Sequence, residues 1–137
     1  MNLIHRIVIA ILFTTLGFST TIHVATTGSD DTGDGSENNP YATIQKGVDV
    51  ASDGDIVSVS TGEYVENVFV DEKSITLLST ENAIINGNNQ DYTVRVRRSD
   101  TFSIEGFTLK EGTGYYDPDY GWDAWGAFRI DNYLNED

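Results

Sequence analysis

The stretch Pro40-Tyr41-Ala42-Thr43-Ile44-Gln45-Lys46-Gly47-Val48-Asp49-Val50-Ala51, then Ser52-Asp53-Gly54-Asp55, then Ile56-Val57-Ser58-Val59-Ser60, decides the fold. Within it the apolar period changes from helical to alternating. Tyr41, Ile44, Val48 and Ala51 fall on one helical stripe. Thr43 can N-cap the helix, or Asn39 can do so with Pro40 at the first position. Gly54 is a natural C-terminal stop. Gly47 costs about 1 kcal/mol relative to Ala inside a helix. Its presence therefore predicts close approach of the helix to other backbone.

Downstream the pattern is short strands broken by turns. The apolar alternations are Val57/Val59, Val68/Val70, Ile75/Leu77, Val94/Val96, Phe102/Ile104, Phe107/Leu109 and Phe128/Ile130. Asn86-Gly87 comes nearest to a tight hairpin turn, and an antiparallel meander would want more of these. The runs starting at Ile56, Ile75 and Val94 lie 19 residues apart. A period near 20 with several strands per repeat predicts a coiled solenoid, each coil burying its apolar face on the next. The single helix then has a purpose as a plug over the open N-terminal end of the stack. Upstream, Thr21 to Thr26 alternates as a strand, with His23 pointing outward as a solvated side chain. Gly28 to Asn39 contains no apolar side chain and reads as a polar loop of turns.

Composition narrows the function classes. The chain has 137 residues, enough for one modest domain, with 13 glycines and a formal net charge of −14. That surface repels nucleic acid and anionic lipid headgroups. Residues 1–19 read as a signal peptide: His5 and Arg6 open it, Ile7 to Phe13 is apolar, and Gly17 and Ser19 precede a plausible cut. The apolar stretch is short for a bilayer span of about 20 residues, so no membrane span is expected after cleavage. The chain is therefore expected to be exported, to the periplasm, cell surface or medium. It has no cysteine, so its stability comes from burial and backbone hydrogen bonds, not disulfides. That suits a bacterial exported protein better than a small eukaryotic secreted module.

Three segments resemble a known pattern. They are Ile22-His23-Val24-Ala25-Thr26-Thr27-Gly28-Ser29-Asp30 with Gly33-Asp34-Gly35-Ser36, then Asn39 to Gly47, then Asp53-Gly54-Asp55-Ile56-Val57-Ser58-Val59 with Gly62-Glu63-Tyr64-Val65-Glu66-Asn67. Together they resemble the opening of pectate-lyase-like right-handed parallel β-helix proteins, and Ile104 to Gly112 resembles a later coil. The resemblance implies a mostly β fold with one N-terminal capping α-helix, and assigns residues 20–137 to the cap and first coils. Such openings occur in polysaccharide lyases, in glycoside hydrolases and in exported surface proteins, and fold analogy alone does not give activity. Such proteins commonly run for hundreds of residues. Phe128-Arg129-Ile130-Asp131-Asn132 looks like a strand in mid-coil, so the chain is expected to be a piece of a longer protein.

The residues offer three places for chemistry. Asp30, Asp31 and Asp34 sit with Glu37 in the polar loop. Carboxylates among glycines suit calcium, which takes six to eight oxygen ligands, although the EF-hand order is absent. Calcium is the one cofactor this suggests; the alternative is a solvated turn. Gly112 to Gly126 carries Tyr115, Tyr116, Tyr120, Trp122 and Trp125 beside Asp117, Asp119 and Asp123. Tyr116, Trp122 and Trp125 are candidates to stack on a sugar, or rings that pack on the coil wall. Asp117 and Asp119 do not establish a glycosidase pair, which needs carboxylates on opposite sides of the scissile bond. Arg95, Arg97 and Arg98 bring three of the eight Lys and Arg side chains into four positions. Arg95 and Arg97 share the outward face of one strand. Their guanidinium forks suit the carboxylates of uronic acids, or those of neighbouring coils.

No catalytic set is recognisable: there is no HExxH, no phosphate loop, no dinucleotide fingerprint and no Ser-His-Asp context. Three readings follow. In the first, an exported β-helix protein meets polysaccharide or a cell-surface glycan without catalysis in this segment. In the second, a polysaccharide lyase or glycoside hydrolase keeps its active site in later coils. In the third, the solenoid is a structural stalk or adhesin.

Overall fold

The computed structural model describes residues 18–114, 116–117, 121–122 and 127–131. The predicted signal segment lies almost wholly outside them, and so does Trp125. The chain is mostly β with one short helix, and its three larger groups of strands are parallel throughout. The first group stacks β1 (Thr21–Val24), β2 (Ile56–Val59), the front of β5 (Thr76–Asn86) and the front of β7 (Ser103–Lys110). The second stacks β3 (Glu63–Val65) with the back halves of β5 and β7. The third stacks β4 (Val68–Asp71), β6 (Val94–Arg97) and β10 (Phe128–Asp131). The chain visits the groups in the order first, second, third, and then begins again. This arrangement is consistent with a β-helix-like fold.

Period-two alternation explains the core. In β2, Val57 and Val59 are buried, and in β4 Val68 and Val70 are. Partners in register place like on like: Val57 beside Leu77, Tyr64 beside Ile85, Val68 beside Val94, Val70 beside Val96. All eight side chains are buried, and full burial of each aliphatic one stabilises the fold by about 1.5–3 kcal/mol before entropy is counted. In the last round Ile104, Leu109 and Phe128 are only half-buried, and Ile130 is 51% exposed.

The predicted 19-residue repeat is corrected by the register. Ile56 pairs with Thr76, 20 residues on, so the first two runs do stack. Val94 pairs with Val68 in the third group, not with the Ile75 run. The intervening run at 83–86 occupies the second group and postpones the third. Rounds also differ in length: Thr76 pairs with Ser103 and Val68 with Val94, 27 and 26 residues apart. Corners account for part of this. β5 turns from first to second group across four residues, 79–82, with a register shift there. β7 turns at Gly106 alone, at φ 76°, where an added Cβ would overlap the carbonyl of Ser79. A side chain there would be strained twice over.

The helix is α1 (Ile44–Val50), capped by Thr43, whose hydroxyl accepts from the Lys46 amide at 3.1 Å. It starts later than Pro40 because the chain there is still doing sheet work. The Tyr41 amide donates to the His23 carbonyl (3.0 Å), and the Tyr41 carbonyl accepts from the Ala25 amide (2.9 Å). Ile44, Gly47 and Val48 are the buried face. The close approach predicted at Gly47 is real, but to side chains rather than backbone: an added Cβ would lie 2.8 Å from a Val57 methyl and 2.9 Å from a Val24 methyl. Among the described residues no helix is long and apolar enough to cross a membrane.

Candidate functional site

The outward face of the third group gathers the arginines. Alternation in β4, β6 and β10 sends valines inward and leaves Phe69, Asp71, Arg95, Arg97 and Arg129 outside. Register stacks Phe69, Arg95 and Arg129 in one row, with Asp71 beside Arg97 in the next. Arg97 donates to Asp71 through Nε (3.1 Å) and Nη2 (2.7 Å), a two-pronged carboxylate contact. Arg98 donates to the same carboxylate at 3.2 and 2.8 Å, and reaches Glu72 at 3.2 Å. Glu72 and Arg98 both take left-handed backbone (φ 53° and 51°), each ending its strand at the equivalent place. Hydrogen bonding from Arg97, helped by Arg98 and opposed by partial burial, holds the Asp71 carboxyl well below the usual carboxylate range.

The other end of the row is aromatic. The Arg97 guanidinium lies 5.3 Å from the centre of the Phe69 ring. Arg95 and Arg129 lie over Tyr92 at 5.8 and 5.4 Å, and Arg129 donates to the Tyr92 hydroxyl at 2.7 Å. A pocket of about 220 Å³ opens between Asn67, Phe69, Asp91, Tyr92 and Arg95. Asn67 is fixed by donating to the carbonyls of Gly87 (3.2 Å) and Tyr92 (2.9 Å). Asp91 accepts from the Tyr92 amide at 2.7 Å. Ring faces beside guanidinium donors can stack on and hydrogen-bond a sugar, and cation–π contacts keep the arginines in place.

Sequence reasoning named Arg95 and Arg97 and missed Phe69, Tyr92 and Arg129. Phe69 carried a legible signal, since it alternates out of Val68-Phe69-Val70. Tyr92 and Arg129 meet across 37 residues through the stacking, which no local pattern encodes.

The acidic loop turns its carboxylates to structural use. Asp30 accepts from the Ala42 amide (2.8 Å), the Thr43 amide (3.1 Å) and the Thr43 hydroxyl (2.7 Å). It thereby fixes the helix cap. Burial pushes its carboxyl up, but the Thr43 and Ala42 donors outweigh that and the net direction is downward. Asp34 accepts from the Ser36 amide at 2.9 Å and is lowered by Ser36. Asp31 is exposed. Among the described residues no group of three His, Asp or Glu side chains is placed to hold a metal ion, so Asp30, Asp31 and Asp34 do not converge.

Of the aromatic stretch, β8 (Tyr116–Asp117) and β9 (Gly121–Trp122) form an antiparallel pair with Tyr116 opposite Trp122. The side chains of Tyr116 and Trp122 lie outside the described residues.

Residues 26–90 match a family described as a protein of unknown function (DUF1565). A cell surface glycoprotein of Methanothermus fervidus is 36% identical over 74 residues, 53% of this chain and 12% of that protein. The chain therefore aligns with about an eighth of that relative's length. The family match covers the polar loop, α1 and the strands through β5. It takes in Phe69 and Asp71 but ends before Arg95 and Arg97.

Proposed function

We propose that this chain is the cap and first coils of an exported, cell-surface right-handed parallel β-helix of the pectate-lyase-like kind, and that the outward row of its third group binds carbohydrate without catalysing a reaction on it. The signal-like start, the parallel stacks and the similarity to a cell surface glycoprotein support export and surface display. The observation that carries the binding reading is the pocket where Phe69, Tyr92 and Arg95 meet. Two ring faces and a guanidinium fork are what a sugar bearing a carboxylate needs: stacking for the ring, paired donors for the acid. At about 220 Å³ it is smaller than the ~300–1,000 Å³ of drug-sized sites, so it takes one sugar unit of a longer chain.

Calorimetry of the full chain with a galacturonate trisaccharide tests this. Saturable binding is expected, with Phe69→Ala and Arg95→Ala each weakening it at least tenfold, or about 1.4 kcal/mol. No heat at millimolar ligand, or unchanged affinity in both variants, removes the reading.

A further inference from the structure

The outward face of the first group holds a second cleft, on the far side of the chain's visiting order from the arginine row. It has a volume of about 230 Å³ and is lined by His23, Glu37, Ser58, Ser60, Thr80 and Glu81, among others. We propose that this cleft is a binding site for a protonated amino sugar, distinct from the arginine row.

The floor is built by register. His23 stands beside Ser58 on adjacent parallel strands. β1 is held on its other edge by the loop: the His23 amide donates to the Gly35 carbonyl at 2.8 Å, and the His23 carbonyl accepts from Tyr41 at 3.0 Å. His23 is therefore clamped between loop and sheet.

The two walls are turns, and each carries a carboxylate. Glu37 sits in the turn closed by the Asn39 amide on the Ser36 carbonyl (3.1 Å) and tied back by the Asn39 side chain on Thr32 (3.0 Å). Glu81 sits on the four-residue corner of β5. That corner is fixed by the Ser79 hydroxyl accepting from the Ala83 amide (3.0 Å), and by Thr108 donating to Asn82 (3.0 Å). The next round makes the same corner with Gly106 alone, so the extra residues are not required for turning the chain. What they add is Thr80 and Glu81, projected over the strand row toward the loop that carries Glu37. Because β1 and β5 flank β2, the carboxylates stand on opposite sides of the cleft.

The lining is poised for a ligand with donors. Among the described residues, none of these six side chains forms an ion pair or a side-chain hydrogen bond within the chain. Two carboxylates favour a cation, and three hydroxyls with an imidazole can donate to or accept from sugar hydroxyls. A bare metal ion is disfavoured, since no three such ligands converge. An ammonium on a polyhydroxyl ring satisfies both walls and the floor, and the volume admits one such ring.

The test compares a β-1,4-linked glucosamine disaccharide with its fully N-acetylated counterpart by calorimetry on the full chain at moderate salt. The amine form should bind at least tenfold more tightly. Glu37→Gln/Glu81→Gln should lower its affinity at least tenfold, each single variant should lower it several-fold, and Arg95→Ala should leave it unchanged. Because the chain is strongly acidic, Glu72→Gln/Asp100→Asn serves as a charge-matched control and should change affinity less than twofold. Equal binding of the two sugars, no binding of either, or a control that weakens binding as much as the cleft variants overturns the proposal. If the double variant loses its fold, the single variants decide.

Discussion

Asp71 and Glu66 are both carboxylates beside short strands, and their surroundings push them in opposite directions. Asp71 is lowered by the arginines that fork onto it. Its stabilisation is complete above about pH 4, the ordinary carboxylate range, and drains away as pH falls toward the folded value. Glu66 accepts from the Ile44 and Gln45 amides at 2.9 Å each, yet burial, with Asp30 nearby, raises it despite those bonds. The folded state holds that proton more tightly than the unfolded one. Its contribution is therefore complete below about pH 4 and declines as pH rises through the folded value. Urea midpoints measured against pH should separate the two. Asp71→Asn should cost about 1 kcal/mol at neutral pH, a modest figure because the pair is partly screened by water, and should flatten the acid limb. Glu66→Gln should leave the acid limb and remove the decline above it. An acid limb equally steep in Asp71→Asn would show that the arginine fork contributes nothing.

Among the elements, α1 tests how packing overrides propensity. Gly47→Ala gains about 1 kcal/mol of helix propensity. Its methyl, however, must displace the Val24 and Val57 methyls that form the first rung of the core. Overpacking of this kind costs about 1–3 kcal/mol, so the variant is expected to be destabilised or at best neutral in chemical denaturation. A gain near the full propensity value would mean that helix and sheet can separate at little cost. The element scale is also where sequence and structure agree best. The helix, the strand alternation and the absence of hairpins are local properties, and Ile44, Val48, Val57 and Leu77 could be placed inward from periodicity alone. The arginine row was half-legible, since Arg95 and Arg97 share a face by counting twos. Their company was not. Phe69, Tyr92 and Arg129 join them through parallel partners 26 to 37 residues away, and corner lengths that vary between rounds erase the fixed period needed to find such partners. The 19-residue spacing from Ile75 to Val94 was a coincidence of this kind.

At the scale of the whole molecule, each strand's partners lie in the preceding and following rounds, so stability is passed along the stack from neighbour to neighbour. The helix closes one end: Ile44, Val48 and Val57 are buried there. At the other end β10 pairs with β6 alone among the described residues, and its Ile130 is 51% exposed. Amide hydrogen exchange should record that asymmetry as a gradient. Protection is expected to be greatest for Val57, Leu77 and Val94, intermediate through β7, and least in β10, with opening energies that fall rung by rung instead of sharing one global value. A single common exchange rate for β2 and β10 would mean that the chain opens as one block. Under the graded pattern the last rung is the stack's fraying edge, and the arginine row that crosses into it breathes more often than the cleft beside the helix.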